Sequence, residues 1–396
     1  MFKHLLKLIW NRKRSHALII AEITLSFLVI FGIGALAVYN WTLYQKPLGF
    51  NYENGLQIII RNGGDWTETD GQRLEQAVLA LNDMQEVDSA FAMLFGPFRG
   101  WRSTSNFEYN GITVDGSQNR ISDGGHQALG LELLEGRWTG PEDIGLNWDT
   151  VVINRQMAEA LFPNESALGK NIRPPEQDNP DYRDYRVVGV FEDFRQQGEF
   201  SEQGNYVMRR LAVEGHEQRA FSIMVYSQSA SSQQLQQELI DTLQTIAPNW
   251  TVRIDSLEAM RADRIDNVTT PMSIMSLIAG FLIIMVGFGL FGVLWQSVTR
   301  RTGELGLRRA MGAHRGRIYR QIVAEMALTA SIGLAIGIFI AIQLPILGTF
   351  PMINWTAAIG GMLISSAIIL SLCILCSLYP GWLASRKSPA EALHYE

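Results

Sequence analysis

At 396 residues the chain is long enough for two or more folding units, and its mean hydropathy of +0.04 fits neither an ordinary soluble protein nor a bare membrane bundle. The net charge of −6 conceals a division: residues 40–270 hold 19 Lys and Arg against 34 Asp and Glu, while the remainder holds 14 basic and 5 acidic residues. An acidic middle region argues against nucleic acid as its partner, and with both cysteines at 373 and 376 it has none to bridge.

Lys3, Lys7, Arg12, Lys13 and Arg14 precede an apolar run at 17–39, about the twenty residues that a helix needs to cross hydrocarbon. Residues 31–41 offer no small-residue cleavage site, so the run reads as an uncleaved anchor with segment 1–16 in the cytoplasm. Tyr39, Trp41 and Tyr44 then form an outer interfacial belt. Glu22 stands about a turn and a half into this helix, where a carboxylate is costly and by default a functional candidate. Pairing with Arg14 or snorkelling is one reading, a mechanistic role the other.

Across 40–270 charges, glycines and prolines appear, and no window is apolar enough to cross a bilayer. A turn at 47–50 leads into a strand at 56–60, and Leu74, Val78, Leu81 and Met84 mark a helix within 72–88. A second such unit follows: a strand at 222–226, a helix with Leu235, Leu239, Leu243 and Ile246 on one face, and a strand at 250–254. Two strand–helix units, 40–95 and 205–270, thus flank a β-rich insert at 96–204, which predicts a bipartite α+β domain. Chemistry is sparse in it. His126 and His216 lack metal-ligand spacing, no G-x-S-x-G elbow occurs, and the pairs Glu142-Asp143 and Glu192-Asp193 read as solvated turns. Asp178, Asp181 and Asp184 suit either a divalent ion or a polar proline-flanked loop. No catalytic residue, cofactor or metal is expected.

A second span follows at 272–298, where Gly280, Gly287, Gly289 and Gly292 permit close helix contact. Segment 299–320 carries Arg300, Arg301, Arg308, Arg309, Arg315, Arg317 and Arg320, a density that holds it on the cytoplasmic side. The third span, 321–347, has Gly333 and Gly337 at small-x-x-x-small spacing and Glu325 within its first turn and a half. A short outer turn leads to the fourth span, 356–379, in which Cys373 and Cys376 read as small packing residues rather than a redox or metal pair. With the tail at 380–396, four spans return both termini to the cytoplasm.

The run RTGELGLRRAMGA at 301–313 resembles the signature R-x-x-E-[IL]-G-[IL]-R-[KR]-A-[LM]-G-A of the MacB/FtsX family of ABC transporter permeases. Segments 127–137, 151–170 and 185–194 of the insert and 380–393 of the tail resemble further family segments in the same order, so the likeness covers essentially the whole chain. It implies a multi-pass α-helical membrane protein with four transmembrane helices and a large α+β extracytoplasmic domain between helices 1 and 2. It also implies an ATPase-coupling helix lying along the membrane surface, formed by Glu304, Leu305, Gly306, Leu307, Arg308, Arg309, Ala310, Met311 and Gly312. Leu305, Ala310 and Met311 would supply an apolar patch, Glu304, Arg308 and Arg309 the charge, and Gly312 a helix C-cap. A plain basic loop against lipid phosphates is the other reading, although it has no need of Gly303, Gly306 and Gly312. Glu325 matches an acidic position common in the family, with pairing to a neighbouring arginine as the conservative assignment.

The Walker A pattern is absent, since Gly169-Lys170 is followed by Asn171. The resemblance therefore implies a non-enzymatic permease with a separate ABC ATPase subunit and a second permease chain, as homo- or heterodimer, in contact with membrane lipids of a bacterial inner membrane. An efflux system would add a periplasmic adaptor and an outer-membrane channel. The implied mechanism is mechanotransmission, in which ATPase-driven motion crosses the membrane to the periplasmic domain. Efflux or extrusion of a periplasmic client is expected; lipoprotein release and cell-wall hydrolase regulation use the same parts. A membrane-anchored sensor or scaffold without a transport cycle is the alternative.

Overall fold

The structure, a computed structural model, describes residues 13–62, 66–100, 102–173, 184–211, 222–300, 307, 311 and 314–386. Asp178, Asp181, His216 and the tail segment 387–396 lie outside the described residues, as do Glu304, Leu305, Gly306, Arg308, Arg309, Ala310 and Gly312. Two compact units form: Leu43–Val268, an α/β domain, and a helical unit built from the chain before and after it.

In the α/β domain, strands β1 (Gly55–Asn62), β2 (Ser89–Met93), β10 (Ser222–Tyr226) and β11 (Trp250–Ser256) associate in the antiparallel order β11-β1-β10-β2. Leu56, Ile58 and Ile60 on β1 point to one face, as the two-residue period requires. There they meet Leu74, Ala77 and Leu81 of α2 (Glu68–Asn82) and Leu235, Leu239 and Leu243 of α5 (Gln233–Ile246). The two expected strand–helix units therefore share one core. Helix α2 starts six residues before Leu74, where the apolar stripe begins, because Asp70 accepts hydrogen bonds from the Thr67 backbone N–H (2.9 Å) and hydroxyl (2.8 Å), making a capped first turn.

The insert contributes β3 (Ser103–Tyr109), β4 (Ile112–Ile121), the short α3 (Gly125–Ala128), β5 (Leu133–Gly136), β6 (Asp149–Asn154), α4 (Arg155–Leu161), β7 (Asn171–Ile172) and β8 (Tyr185–Phe191). Strand β9 (Tyr206–Arg210), which falls within the segment read as the second strand–helix unit, instead runs parallel to β4 and antiparallel to β6. The sheet is continuous through one narrow seam, the β2–β4 pairing Met93↔Ile121. Asn154 knits the insert together: fully buried, it accepts from Met157 N and Tyr206 N (2.7 Å) and donates to Asp193 Oδ1 (2.8 Å) and the Gly204 carbonyl (2.9 Å). The two acidic pairs read as solvated turns are engaged instead. Asp193 is held by Asn154, Arg155 pairs with Glu192, and Arg137 pairs with both Glu142 and the largely buried Asp143.

The helical unit contains α1 (Lys13–Tyr44) as far as Thr42, α6 (Leu257–Arg300) from Thr269 onward, α7 (Arg315–Ala341), the short α8 (Gln343–Leu347) and α9 (Trp355–Arg386), with four stretches among the described residues long and apolar enough to cross a membrane. Two helices run past the limits that the apolar runs suggest. Helix α6 begins fifteen residues before Met272 and continues through Pro271, and α9 continues through Pro380 to Arg386. A proline removes only its own N–H from the ladder, leaving one i−4 carbonyl without a helical donor, and helices of 44 and 32 residues keep the rest of their ladder on both sides.

Candidate functional site

Small residues let the helices approach. A Cβ on Gly333 would lie 2.8 Å from Ile23 Cγ2, and one on Gly337 would lie 2.5 Å from Phe27 Cδ1, so the small-x-x-x-small pair of α7 is the seat of α1. The Thr24 hydroxyl adds a hydrogen bond across this contact to the Gly333 carbonyl at 3.1 Å. Gly361 of α9 meets Ala35 at backbone distance, and Gly360 meets Val38. On α6 the glycines divide: Gly287 packs on Leu372 and Gly289 on Glu22, whereas Gly280 and Gly292 meet nothing within 4 Å.

Glu22 projects toward α6. A Cβ on Gly289 would stand 2.2 Å from its Oε1, so that glycine makes the space that the carboxylate occupies. The Arg14 side chain lies outside the described residues. Glu325 is 6% exposed on the inner face of α7, one of a stripe with Ile318, Ile322, Thr329 and Gly333. The two carboxylates are not brought to one level. Contacts of Ile23 with Gly333 and of Phe27 with Gly337 show α1 and α7 running parallel with a fixed offset, which places Glu325 seven residues, or about 10 Å, below Glu22 along the axis.

The basic segment is bracketed by packing. Val298 near the end of α6 packs on Ile318 and Ile322 of α7, so the two ends of 299–317 are pinned to one another. Phe291, Trp295, Tyr379 and Trp382 stack with successive centroids about 6 Å apart, fastening the end of α6 to α9. His314 caps α7, its Nδ1 accepting from Gly316 N. Of the coupling residues, Leu307 and Met311 are described. They lie one turn apart, with Met311 N donating to the Leu307 carbonyl at 3.0 Å, and they are 54% and 72% exposed. The two form an exposed apolar pair at i, i+4 spacing on a basic segment.

The sequence pattern did not single out the loop that follows β8. Arg195 there is 1% exposed, and its guanidinium donates to the carbonyls of Leu43 and Lys46, both at 2.9 Å, and of Ser201 at 2.8 Å, and also to that of Glu199. The Glu199 carboxylate accepts from Arg261 of α6, whose guanidinium also lies 4.7 Å from the Tyr52 ring centroid. An arginine directly after the segment 185–194 was the available signal, but two of its acceptors are backbone oxygens about 150 residues away, to which no side-chain pattern points.

Residues 18–242 match the MacB-like periplasmic core domain, and residues 276–389 match the FtsX-like permease C-terminal region. The uncharacterized ABC transporter permease YknZ of Bacillus subtilis (strain 168) is 28% identical over 302 residues, covering 73% of this chain and 72% of that one. The macrolide export ATP-binding/permease protein MacB of Hahella chejuensis (strain KCTC 2396) is 25% identical over 413 residues, covering 100% of this chain but 60% of its own length. Among solved structures, the periplasmic region of MacB from Actinobacillus actinomycetemcomitans aligns over 57% of this chain and 99% of that chain, at 18% identity and a TM-score of 0.39.

Proposed function

Because the chain belongs to the MacB/FtsX type of ABC transporter permease, with more than half its length matched by the core-domain profile, we propose that it carries ATPase-driven motion across the inner membrane to its α/β domain. The observation that carries this reading is the pinned segment 299–317, which presents Leu307 and Met311 between two packed helices. A docking face of that kind delivers a push only if its two ends cannot slip, and the Val298 contact with Ile318 and Ile322 supplies that restraint. The ATPase comes from outside these 396 residues, since they hold no Walker A pattern. The arginine-rich segment and the basic N-terminal residues support a topology with both termini in the cytoplasm and the acidic domain in the periplasm.

Efflux or extrusion of a client moved outside the bilayer fits the span interior. The groove between α1, α6 and α9, of about 180 Å³, is walled by Leu25, Val29, Leu282, Val286 and Leu372 with Ser26 the one hydroxyl, and such a wall offers a polar client no path. Two permease chains complete the assembly, the exposed Leu277, Phe281, Ile284 and Phe288 of α6 and its open Gly280 and Gly292 providing a face for the second. Affinity capture of the tagged chain from its native membrane tests the reading, beside a Glu304→Lys/Arg308→Glu variant. An ABC ATPase captured with the unaltered chain and lost from the folded variant is the expected result. Capture of no ATPase by either chain would leave a sensor or scaffold in its place.

A further inference from the structure

Within the unit Leu43–Val268, one loop holds both the last residues of α1 and the first turns of α6. Residues 43 and 44 finish α1 and 45–46 follow it directly, where the last carbonyls of a helix have no intrahelical donor and carry the negative end of its dipole. Arg195 fills that position with a buried cation, and its planar fork reaches Leu43 O and Lys46 O through Nη1 while Nη2 and Nε reach Ser201 O. Its own backbone N–H donates to the Leu48 carbonyl at 2.9 Å. The chain just after α1 is fitted to this loop: Gly49 has φ +79°, and a Cβ there would fall 1.8 Å from the Asp193 carbonyl oxygen. Tyr44 stacks on Phe200 with ring centroids 5.9 Å apart.

The same loop grips the first two turns of α6. Glu199, four residues after Arg195 and holding an Arg195 hydrogen bond on its carbonyl, binds Arg261 through its buried carboxylate. Arg264 Nε donates to the Phe98 carbonyl at 2.8 Å, and Leu257 is fully buried with Phe50, Phe98 and Phe194. The end of α1 and the start of α6, more than 200 residues apart in sequence, thus converge on two side chains one helical turn's length apart in the chain.

We propose that Arg195 and Glu199 are the positioning residues of a transmission joint, which fixes the end of α1 to the start of α6 so that displacement of either helix reaches the domain as displacement of both. This rests on the reading of the chain as a transmitter of ATPase-driven motion. A guanidinium bonded to four carbonyls has no lysine equivalent, because one ammonium cannot span acceptors on both sides of a planar fork.

Hydrogen exchange followed by mass spectrometry on the full chain in detergent tests the joint without any ATPase. In Arg195→Lys, amides of 43–50 and of 258–268 exchange about tenfold faster or more, as loss of charge-assisted bonds implies, while α2 and α5 keep their protection. In Glu199→Gln, which keeps the loop's size, the increase is confined to 258–268. Faster exchange in 43–50 alone for Arg195→Lys would overturn the joint, and so would a uniform rise that includes α2 and α5, which would make Arg195 a general stability element. Both variants leave residues 301–313 untouched and retain ATPase capture. Failure of capture by the unaltered chain would therefore count against the proposed function, whereas the exchange pattern alone decides the joint.

Discussion

Replacing Gly333 by alanine puts a methyl group where the α1–α7 contact has no room for one. The new Cβ would lie 2.8 Å from Ile23 Cγ2, 3.0 Å from Ile23 Cβ and 3.2 Å from the Ile20 carbonyl oxygen. Ile23 is fully buried and β-branched, so it has no second rotamer to retreat to, and the helices themselves must separate. Overpacking of this kind costs about 1–3 kcal/mol. Separation also lengthens the 3.1 Å bond from the Thr24 hydroxyl to Gly333 O, a loss of ~0.6 kcal/mol for an interhelical bond in a membrane. Against this, alanine gains up to about 1 kcal/mol of helix propensity over glycine. The net expectation is a destabilisation of about 0.6–2.6 kcal/mol. Gly32→Ala, on α1 itself, is the matched control, since its Cβ meets nothing within 4 Å and only the propensity gain remains. The assay is the apparent melting midpoint of the full chain in dodecyl maltoside, followed by tryptophan fluorescence, in which the two variants should separate by roughly 3–8 °C at about 2 °C per kcal/mol. Equal midpoints for the two variants, or a lower one for Gly32→Ala, would refute the assignment of the α1 seat to Gly333.

Gly361→Ala should destabilise more than Gly333→Ala in the same assay, because its Cβ would meet the Ala35 backbone N at 2.8 Å and Cα at 2.9 Å, and backbone yields less readily than a side chain. Leu239→Ala, at the centre of the core shared by the two strand–helix units, should cost about 2–5 kcal/mol in urea unfolding, against a negligible effect for the exposed Gln237→Ala. Asp70 provides a pH signature: burial raises its carboxyl, but the Thr67 N–H and hydroxyl, the Trp250 indole N–H and Arg73 outweigh burial and hold it below the ordinary carboxylate range. A group depressed in the folded state contributes stability that is complete above its unfolded value, about 4, and that disappears as pH falls through the folded value. Fluorescence of the stacked pair Trp66–Trp250 should therefore report a domain that loosens below about pH 4, and Asp70→Asn should show a flatter profile and lower stability at neutral pH by about 1.5–3 kcal/mol.

How far the sequence led depended on whether the relevant physics was local. Four apolar runs, the α5 stripe of Leu235, Leu239 and Leu243, and the strand–helix repeats are periodic signals written within a few residues, and the structure forms elements there. Gly333 and Gly337 were legible for the same reason. Gly280 and Gly292 were not separable from Gly287 and Gly289, because which glycine faces a neighbour depends on helix rotation, a property of the whole bundle. The apolar run leaves helix α6 fifteen residues short, since Pro271 and the charges at Glu258, Arg261, Asp263 and Arg264 look like a domain's end, whereas Arg261 and Arg264 anchor its first turns to Glu199 and Phe98. The pairing of β9 is not written locally, because its partners β4 and β6 precede it by 50 residues or more. Arg195 escaped notice because its acceptors are carbonyls, which every residue possesses.

The central claim is that energy delivered at 299–317 appears as motion of the α/β domain. It is tested most directly by placing a spin label at Gln76→Cys, on the exposed side of α2, in a Cys373→Ala/Cys376→Ala background, and measuring the label-to-label distance in the captured permease–ATPase complex. The account predicts that the distance distribution between the two α/β domains shifts when ATP and vanadate replace the nucleotide-free state, and that the shift is lost in Arg195→Lys. An unchanged distribution in a complex that binds and hydrolyses ATP would contradict it.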